Sequence, residues 1–276
     1  MTPLLQRLLP CAFAAVLLHP ITAHAQLALH LTGEFGFASA YLDRGVIRTN
    51  QPVLQPSLAV SLPAGGGSAT IGLWATVEPA SYSGAQYFSM APGEKSPNVT
   101  EFRPSLELAQ PVGPVGFSFR ATMQMFPNLS GLTKAANTFD LASTASLARA
   151  PLSPTVMVAY DLGAINGAYL EGRVRQALPL AKGAAIVLSA KGGYAIRQQV
   201  DSAPDAFASY QRNGFTHLDL TVGTRISAAG AEITPYLTYT RVPHPMESAA
   251  APGRQRPEML VFGTTVRVTG TLPKKK

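Results

Sequence analysis

The run Val115-Gly116-Phe117-Ser118-Phe119-Arg120-Ala121-Thr122-Met123-Gln124-Met125 sets six apolar side chains on odd positions against glycine, serine, arginine, threonine and glutamine on even ones. Successive strand residues point to opposite faces, so this segment reads as a β-strand with one greasy face and one wet face. Its length matches the roughly 9–11 residues that a tilted strand needs to cross a bilayer.

The same alternation recurs on both sides. Towards the N-terminus it marks Leu29–Arg44, Val53–Leu62, Ser68–Glu78 (with Trp74 as an exception on the polar side) and Glu101–Ala109. Towards the C-terminus it marks Phe139–Leu147, Thr155–Leu162, Gly167–Ala177, Ala184–Ile196, Gly214–Ile226, Ala231–Val242 and Met259–Val268. The connections sort by parity. Every even one is short: Pro63–Gly67, Gln110–Pro114, Arg149–Pro154, Leu178–Leu180 and Ala228–Gly230. The odd ones include the long polar stretches Pro79–Thr100, Phe126–Thr138, Arg197–Asn213 and Pro243–Glu258. Tight turns at one end and long loops at the other predict an all-β fold: an antiparallel transmembrane β-barrel of about 12 strands, with periplasmic turns and extracellular loops. A secreted β-sandwich also alternates, but it does not segregate loop length by parity. Pro56, Pro104 and Pro235 fall inside the expected strands, where each removes a ladder hydrogen bond, so strands are expected to start or bulge there.

Composition agrees with this reading. Of 276 residues 46% are hydrophobic and only 13% charged, the formal net charge is +7, and the mean hydropathy is +0.13. That is too few charges for a disordered chain, and Gly 24 plus Pro 23 breaks the chain too often for a helical bundle. The single cysteine, Cys11, excludes a disulfide scaffold or a Cys-ligated metal site. Residues 1–25 carry Arg7, an apolar run from Leu8 to Leu18, and Ala23-His24-Ala25, the order of a secretory signal peptide cleaved after Ala25. A lipid-attachment box around Leu8-Leu9-Pro10-Cys11 is the rival reading, but it leaves almost nothing hydrophobic ahead of the cysteine. The expected domains are thus a signal peptide, 1–25, and an outer-membrane barrel, 26–276.

Three stretches carry a family resemblance. Pro154-Thr155-Val156-Met157-Val158-Ala159-Tyr160-Asp161, followed by Gly167-Ala168-Tyr169-Leu170-Glu171 and Ala177-Leu178-Pro179-Leu180, resembles a hairpin of the TorF-like porins, exported outer-membrane barrels of Gram-negative bacteria. Ser39-Ala40-Tyr41-Leu42-Asp43-Arg44-Gly45-Val46 near the start is similar to the same family. So is Gly214-Phe215-Thr216-His217-Leu218-Asp219-Leu220 with Ile233-Thr234-Pro235-Tyr236-Leu237 near the end. The resemblance implies a pore-like role in the cell outer membrane and supplies no catalytic residue. Barrels of this kind commonly end on an aromatic residue read by the assembly machinery. This chain instead runs on to Lys274, Lys275 and Lys276, leaving Phe262 or the Val266/Val268 face to substitute.

With the apolar face to lipid, the polar face lines the interior. There the alternation places Glu34, Arg103, Glu107, Arg120, Asp140, Asp161, Glu171, Arg173, Arg175, Lys191, His217, Asp219, Arg225 and Arg267. Charges in such a place pair across the lumen or line a wet channel. Twelve strands enclose a narrow bore, which points to a porin-like passive channel for small polar or ionic solutes. The cationic excess favours a weak preference for anions. Two other functions remain open: a barrel enzyme acting on lipid, for which His217 and Asp219 on one strand face would be base and orienting carboxylate, and a non-conducting scaffold or adhesion barrel. No Gly-x-Ser-x-Gly elbow, His-x-x-x-His pair or phosphate-binding loop occurs, so no catalytic residue, metal or cofactor is assigned. Despite a sequence pI near 9.7, the cations are spread through the strands, which excludes a nucleic-acid stripe. Arg241, Arg254 and Arg256 suit the phosphates of lipopolysaccharide. Tyr41, Tyr160, Tyr194 and Tyr239 suit an aromatic girdle at the membrane interface. The expected partners are outer-membrane lipid and lipopolysaccharide, the assembly machinery and small polar solutes.

Overall fold

A computed structural model describes residues 28–80, 97–127, 137–163, 166–197, 213–243 and 257–272. The expected signal peptide, most of the four long loops, Arg254 and Arg256, and the terminal lysines lie outside these residues. Fourteen strands follow in order: β1 Leu29–Ala38, β2 Tyr41–Asp43, β3 Val46–Thr49, β4 Val53–Ala64, β5 Gly67–Glu78, β6 Asn98–Val112 and β7 Val115–Gln124. The second half holds β8 Thr138–Ser146, β9 Thr155–Asp161, β10 Ala168–Ala181, β11 Ala184–Ile196, β12 Gly214–Ala228, β13 Ala231–Arg241 and β14 Glu258–Leu272.

Twelve of them, all but β2 and β3, close into one antiparallel barrel in which each strand pairs with its sequence neighbours and β1 meets both β4 and β14. Closure satisfies every strand's backbone groups with no free edge, the condition for a sheet to stand in lipid. The alternation then decides which face is which. Leu58, Ile71, Leu106, Phe117, Val158, Leu220, Leu237, Leu260 and Phe262 point outward and stay exposed. Such a belt of bare apolar side chains, running right round the wall, is what a lipid-facing surface requires and supports a place in the outer membrane.

The short turns depend on residues that tolerate positive φ. Gly65 and Gly66 (φ 53° and 85°) link β4 to β5, and Ala229 and Gly230 (φ 50° and 80°) link β12 to β13. Two successive positive φ values give the turn whose twist matches that of the flanking strands. One expected turn is displaced. Leu178–Leu180 belongs to β10, because Leu178 and Leu180 continue its outward row, and the chain reverses beyond Ala181, where Gly183 has φ 78°.

The three prolines neither start strands nor make bulges. Pro56 pairs with Phe35, Pro104 with Leu73 and Pro235 with Thr264 on one side. On the other side the ladder lapses. No pairing joins β4 to β5 at Gln55 and Pro56, β6 to β7 at Arg103 and Pro104, or β12 to β13 at Thr234 and Pro235. A strand residue directs its N–H towards one neighbour only, so each proline costs a single ladder bond and the strand carries on. The bulges lie elsewhere, at Thr76/Val77, Pro179/Ala181 and Gly193/Tyr194.

The direction of each side chain sets a test. Leu106→Arg and Leu220→Arg, on the outer face, are expected to cost about 2–4 kcal/mol each near the bilayer midplane. Thr269→Lys, on the inner face, is expected to cost far less. Folding into lipid vesicles, read from the mobility of unheated protein on a gel, measures the difference.

Candidate functional site

The first connection is not an extended strand end. β1 stops at Ala38, where Ser39 N–H donates to the Phe262 carbonyl at 2.9 Å and the Ser39 hydroxyl accepts from Phe262 N–H at 3.1 Å. The chain then turns inward as a separate two-stranded hairpin, β2 with β3, closed by Arg44 and Gly45 at φ 53° and 85°. This is the same left-handed turn that joins the wall strands. Val46, Ile47, Arg48 and Thr49 are all buried, Ile47 being 1% exposed, so the hairpin sits inside the barrel at its loop end.

Contacts from several walls hold it there. At its base the Tyr41 ring packs 5.6 Å from Trp74 of β5, within a small cluster with Ala38, Ala40, Val53 and Val261. Arg103 of β6 lies over Trp74 and donates to the Tyr41 hydroxyl at 2.9 Å, to Asp43 Oδ2 at 2.7 Å and to Glu101 Oε1 at 2.5 Å. Trp74 faces inward for this reason, which accounts for its place on the polar side of β5. At the tip, Arg44 donates to Asp140 Oδ2 of β8 at 2.5 Å and lies over the Tyr169 ring of β10. Gly45 meets His217 of β12 so closely that a β-carbon would stand 2.7 Å from the His217 Cβ.

Electrostatics divide the interior into two levels. Around the hairpin the described wall carries the carboxylates Glu78, Glu101, Asp140, Asp161, Glu171 and Asp219 against the cations Arg103 and Lys191, with Arg173 reaching Glu171 from the vestibule side at 3.0 Å. The hairpin contributes Asp43, Arg44 and Arg48, one cation in excess, so a basic insert fills an acidic collar. Burial pushes the Asp43 carboxyl up, yet the Arg103 and Arg48 guanidiniums, with Arg44 beyond them, hold it well below the usual carboxylate range. It therefore stays charged through neutral and mildly acidic pH. Below the collar the walls open into water, where Arg120, Arg173 and Arg267 each keep half or more of the side chain exposed. Here the ion pairs join adjacent strands: Arg267 with Glu34 at 2.7 Å, Arg120 with Glu107, and Arg225 with Glu232 at 3.8 Å. Hydrated cross-strand pairs contribute little to stability, roughly 0.2–1 kcal/mol each. Their chief effect is to line the vestibule with charge.

No known family's sequence profile matches the chain, and no curated protein matches it in sequence. Solved structures match its shape. An outer-membrane channel of Pseudomonas putida F1 is 9% identical, with a TM-score of 0.50 over 91% of this chain and 98% of that one. LpxR from Salmonella typhimurium is 11% identical, with a TM-score of 0.49 over 86% of this chain and 99% of that one. The NanC porin is 9% identical, with a TM-score of 0.48 over 86% and 98%. The chain has the fold of an outer-membrane β-barrel. At these identities the likeness extends to the fold alone, and the motif resemblance to TorF-like porins gains nothing further from it.

The structure scatters the expected interior residues between the two levels. Asp140, Asp161, Glu171, His217, Asp219, Lys191 and Arg103 lie around the hairpin, whereas Glu34, Glu107, Arg120, Arg173, Arg175, Arg225 and Arg267 lie towards the vestibule. Lys191 pairs with Asp219 at 3.0 Å, directly opposite in the ladder. Asp161 is occupied locally: it accepts from the Thr138 hydroxyl at 2.6 Å and from Gly163 N–H at 2.9 Å, fixing the short β9–β10 connection. His217 is 0% exposed, with Nδ1 2.9 Å from the Thr216 hydroxyl and Nε2 3.7 Å from Asp219 Oδ2. The alternation of β12 points it, with Asp219, into the lumen and away from any lipid-facing rim, while the bulge opposite Gly193/Tyr194 takes in Thr216 and leaves Phe215 facing outward. Tyr160, Tyr194 and Tyr239 share the outward parity of Val158, Ile196 and Leu237, but Tyr41 does not join a girdle. The inward bend at Ser39–Ala40 resets its parity, and it is buried against Trp74 and Arg103. Sequence reading missed the whole hairpin. The signal was Gly45, a residue suited to a left-handed turn directly after the expected strand end at Arg44.

Gly45 makes the hairpin's seat testable. Gly45→Val forces a β-branched residue into positive φ and against His217, so the hairpin is expected to leave its seat while the barrel still forms. Limited trypsin digestion of the folded protein measures this, with cleavage after Arg44 or Arg48 appearing in the variant and absent from the wild type.

Proposed function

We propose that the chain is a porin-like outer-membrane channel for small polar or ionic solutes, throttled at its loop end by the Tyr41–Thr49 hairpin. The observation that carries this reading is the wet, charge-lined vestibule that ends on a plug held largely by ion pairs. A barrel that served only as a scaffold would need no hydrated half, and contacts between charges give way more readily than an apolar core. The second reading, a non-conducting barrel, draws on the completeness of the seal at Ile47 and His217. The lipid-enzyme reading is the weakest, since its base would be His217, enclosed beneath Gly45.

Selectivity follows from the narrowest level, where the field of a few partly buried charges outweighs that of many hydrated ones. That level carries the acidic collar. Cations are therefore favoured, reversing the expectation drawn from the slight cationic excess of the inner face.

Planar-bilayer recording tests both points. Wild-type protein should give small unit currents that reverse towards the potassium potential in a KCl gradient, and excision of residues 41–49 should enlarge them several-fold. Silence from both proteins would establish the non-conducting reading, and reversal towards chloride would refute the selectivity.

A further inference from the structure

Arg44 does more than fasten the hairpin. Its guanidinium meets two surfaces at once: the Asp140 carboxylate, 2.5 Å from Nη2, and the face of Tyr169, whose ring centre is 4.9 Å from Cζ. A carboxylate beside an aromatic face suits a planar delocalised cation, which hydrogen-bonds through its edge and interacts with the ring through its plane.

The barrel fixes both surfaces independently of the hairpin. Tyr169 is 0% exposed, its hydroxyl donates to Glu171 Oε2 at 3.3 Å, and Gly193 lies against the ring where a β-carbon would collide with it. Gln124 donates to Asp140 Oδ2 at 2.8 Å, so one carboxylate oxygen is held by both the wall and Arg44. The other, Asp140 Oδ1, is buried and accepts no hydrogen bond from the described residues. A buried carboxylate oxygen without a donor is costly, and it leaves this pocket of the collar able to take a donor that Arg44 does not supply.

We propose that Asp140 and Tyr169 form a binding cradle for a small guanidinium-bearing solute, with Arg44 as its built-in occupant, and that such a solute displaces the hairpin and opens the lumen. The binding step stands on the cradle alone, while the opening step rests on the channel reading above. Because Arg44 occupies the cradle, an external guanidinium binds the wild type only in proportion to the time Arg44 is out.

Agmatine is the probe, added to the full-length barrel in detergent. Calorimetric titration should show Arg44→Met binding agmatine at least about tenfold more tightly than the wild type, because the internal competitor is gone. Asp140→Asn should weaken binding to both backgrounds. Trp74, the only tryptophan in the chain, packs against the hairpin base and reports its displacement. In the wild type its emission should change saturably with agmatine and not with NaCl at matched ionic strength. Equal or weaker affinity in Arg44→Met, or an emission that follows ionic strength alone, would overturn the cradle. Should Asp140→Asn fail to assemble, the comparison of Arg44→Met with the wild type still decides. Agmatine binding with no rise in unit current, in a protein that conducts once residues 41–49 are excised, overturns the opening step alone. Absence of current from the excised protein overturns the channel reading and the opening step together.

Discussion

A sheet immersed in hydrocarbon has nowhere to leave an unpaired N–H or C=O, and the rest of this molecule follows from that requirement. It forces the sheet to close, and closure forces side chains to alternate between lipid and lumen. The outer face then has to be apolar at every second residue, as Leu58, Leu106 and Leu220 show, and polarity is displaced to the inside. The interior charges are thus a by-product of the wall's construction before they are anything else. What distinguishes this barrel is the way those charges are used.

Towards the turn end they pair along the wall, as Glu34 does with Arg267, and leave the middle of the barrel to water. Towards the loop end six wall carboxylates outnumber the wall cations Arg103, Lys191 and Arg173, and the mismatch is reduced by a hairpin that brings Arg44 and Arg48 into their midst. Burial there costs most for charges left alone, and Arg44 of the hairpin is the partner of Asp140. Wall and insert are complementary in charge, and without its hairpin the loop end would be an acidic ring open to water.

The wall was legible in sequence because its rule is periodic. Val115–Met125 displays period two with no exception, and the parity of connection lengths adds information that no single strand holds. The exceptions were legible only as anomalies. Trp74 stood on the wrong face of β5 because it packs on a residue from another part of the chain, and strand periodicity carries no record of such a contact. Tyr41 falls on the outward parity only if alternation continues through Ser39–Ala40, and there the backbone bends. The prolines were legible as obstacles, but their resolution depended on register: each faces a lapse in one ladder and keeps its partner in the other. Local composition decided the elements here, and long-range contacts decided the site. Arg44, Asp140, Tyr169 and His217 come from four separate regions of the chain, and no motif spans them.

The hairpin hangs from the wall by two short links, Ser39–Ala40 and Asn50–Pro52, and contributes no rung to the twelve-stranded ladder. Cylinder and stopper are therefore separable pieces of one polypeptide. A protein engineer could treat the segment between β1 and β4 as a cartridge, exchanging it for other sequences to set aperture and chemical preference while the surrounding staves keep their register.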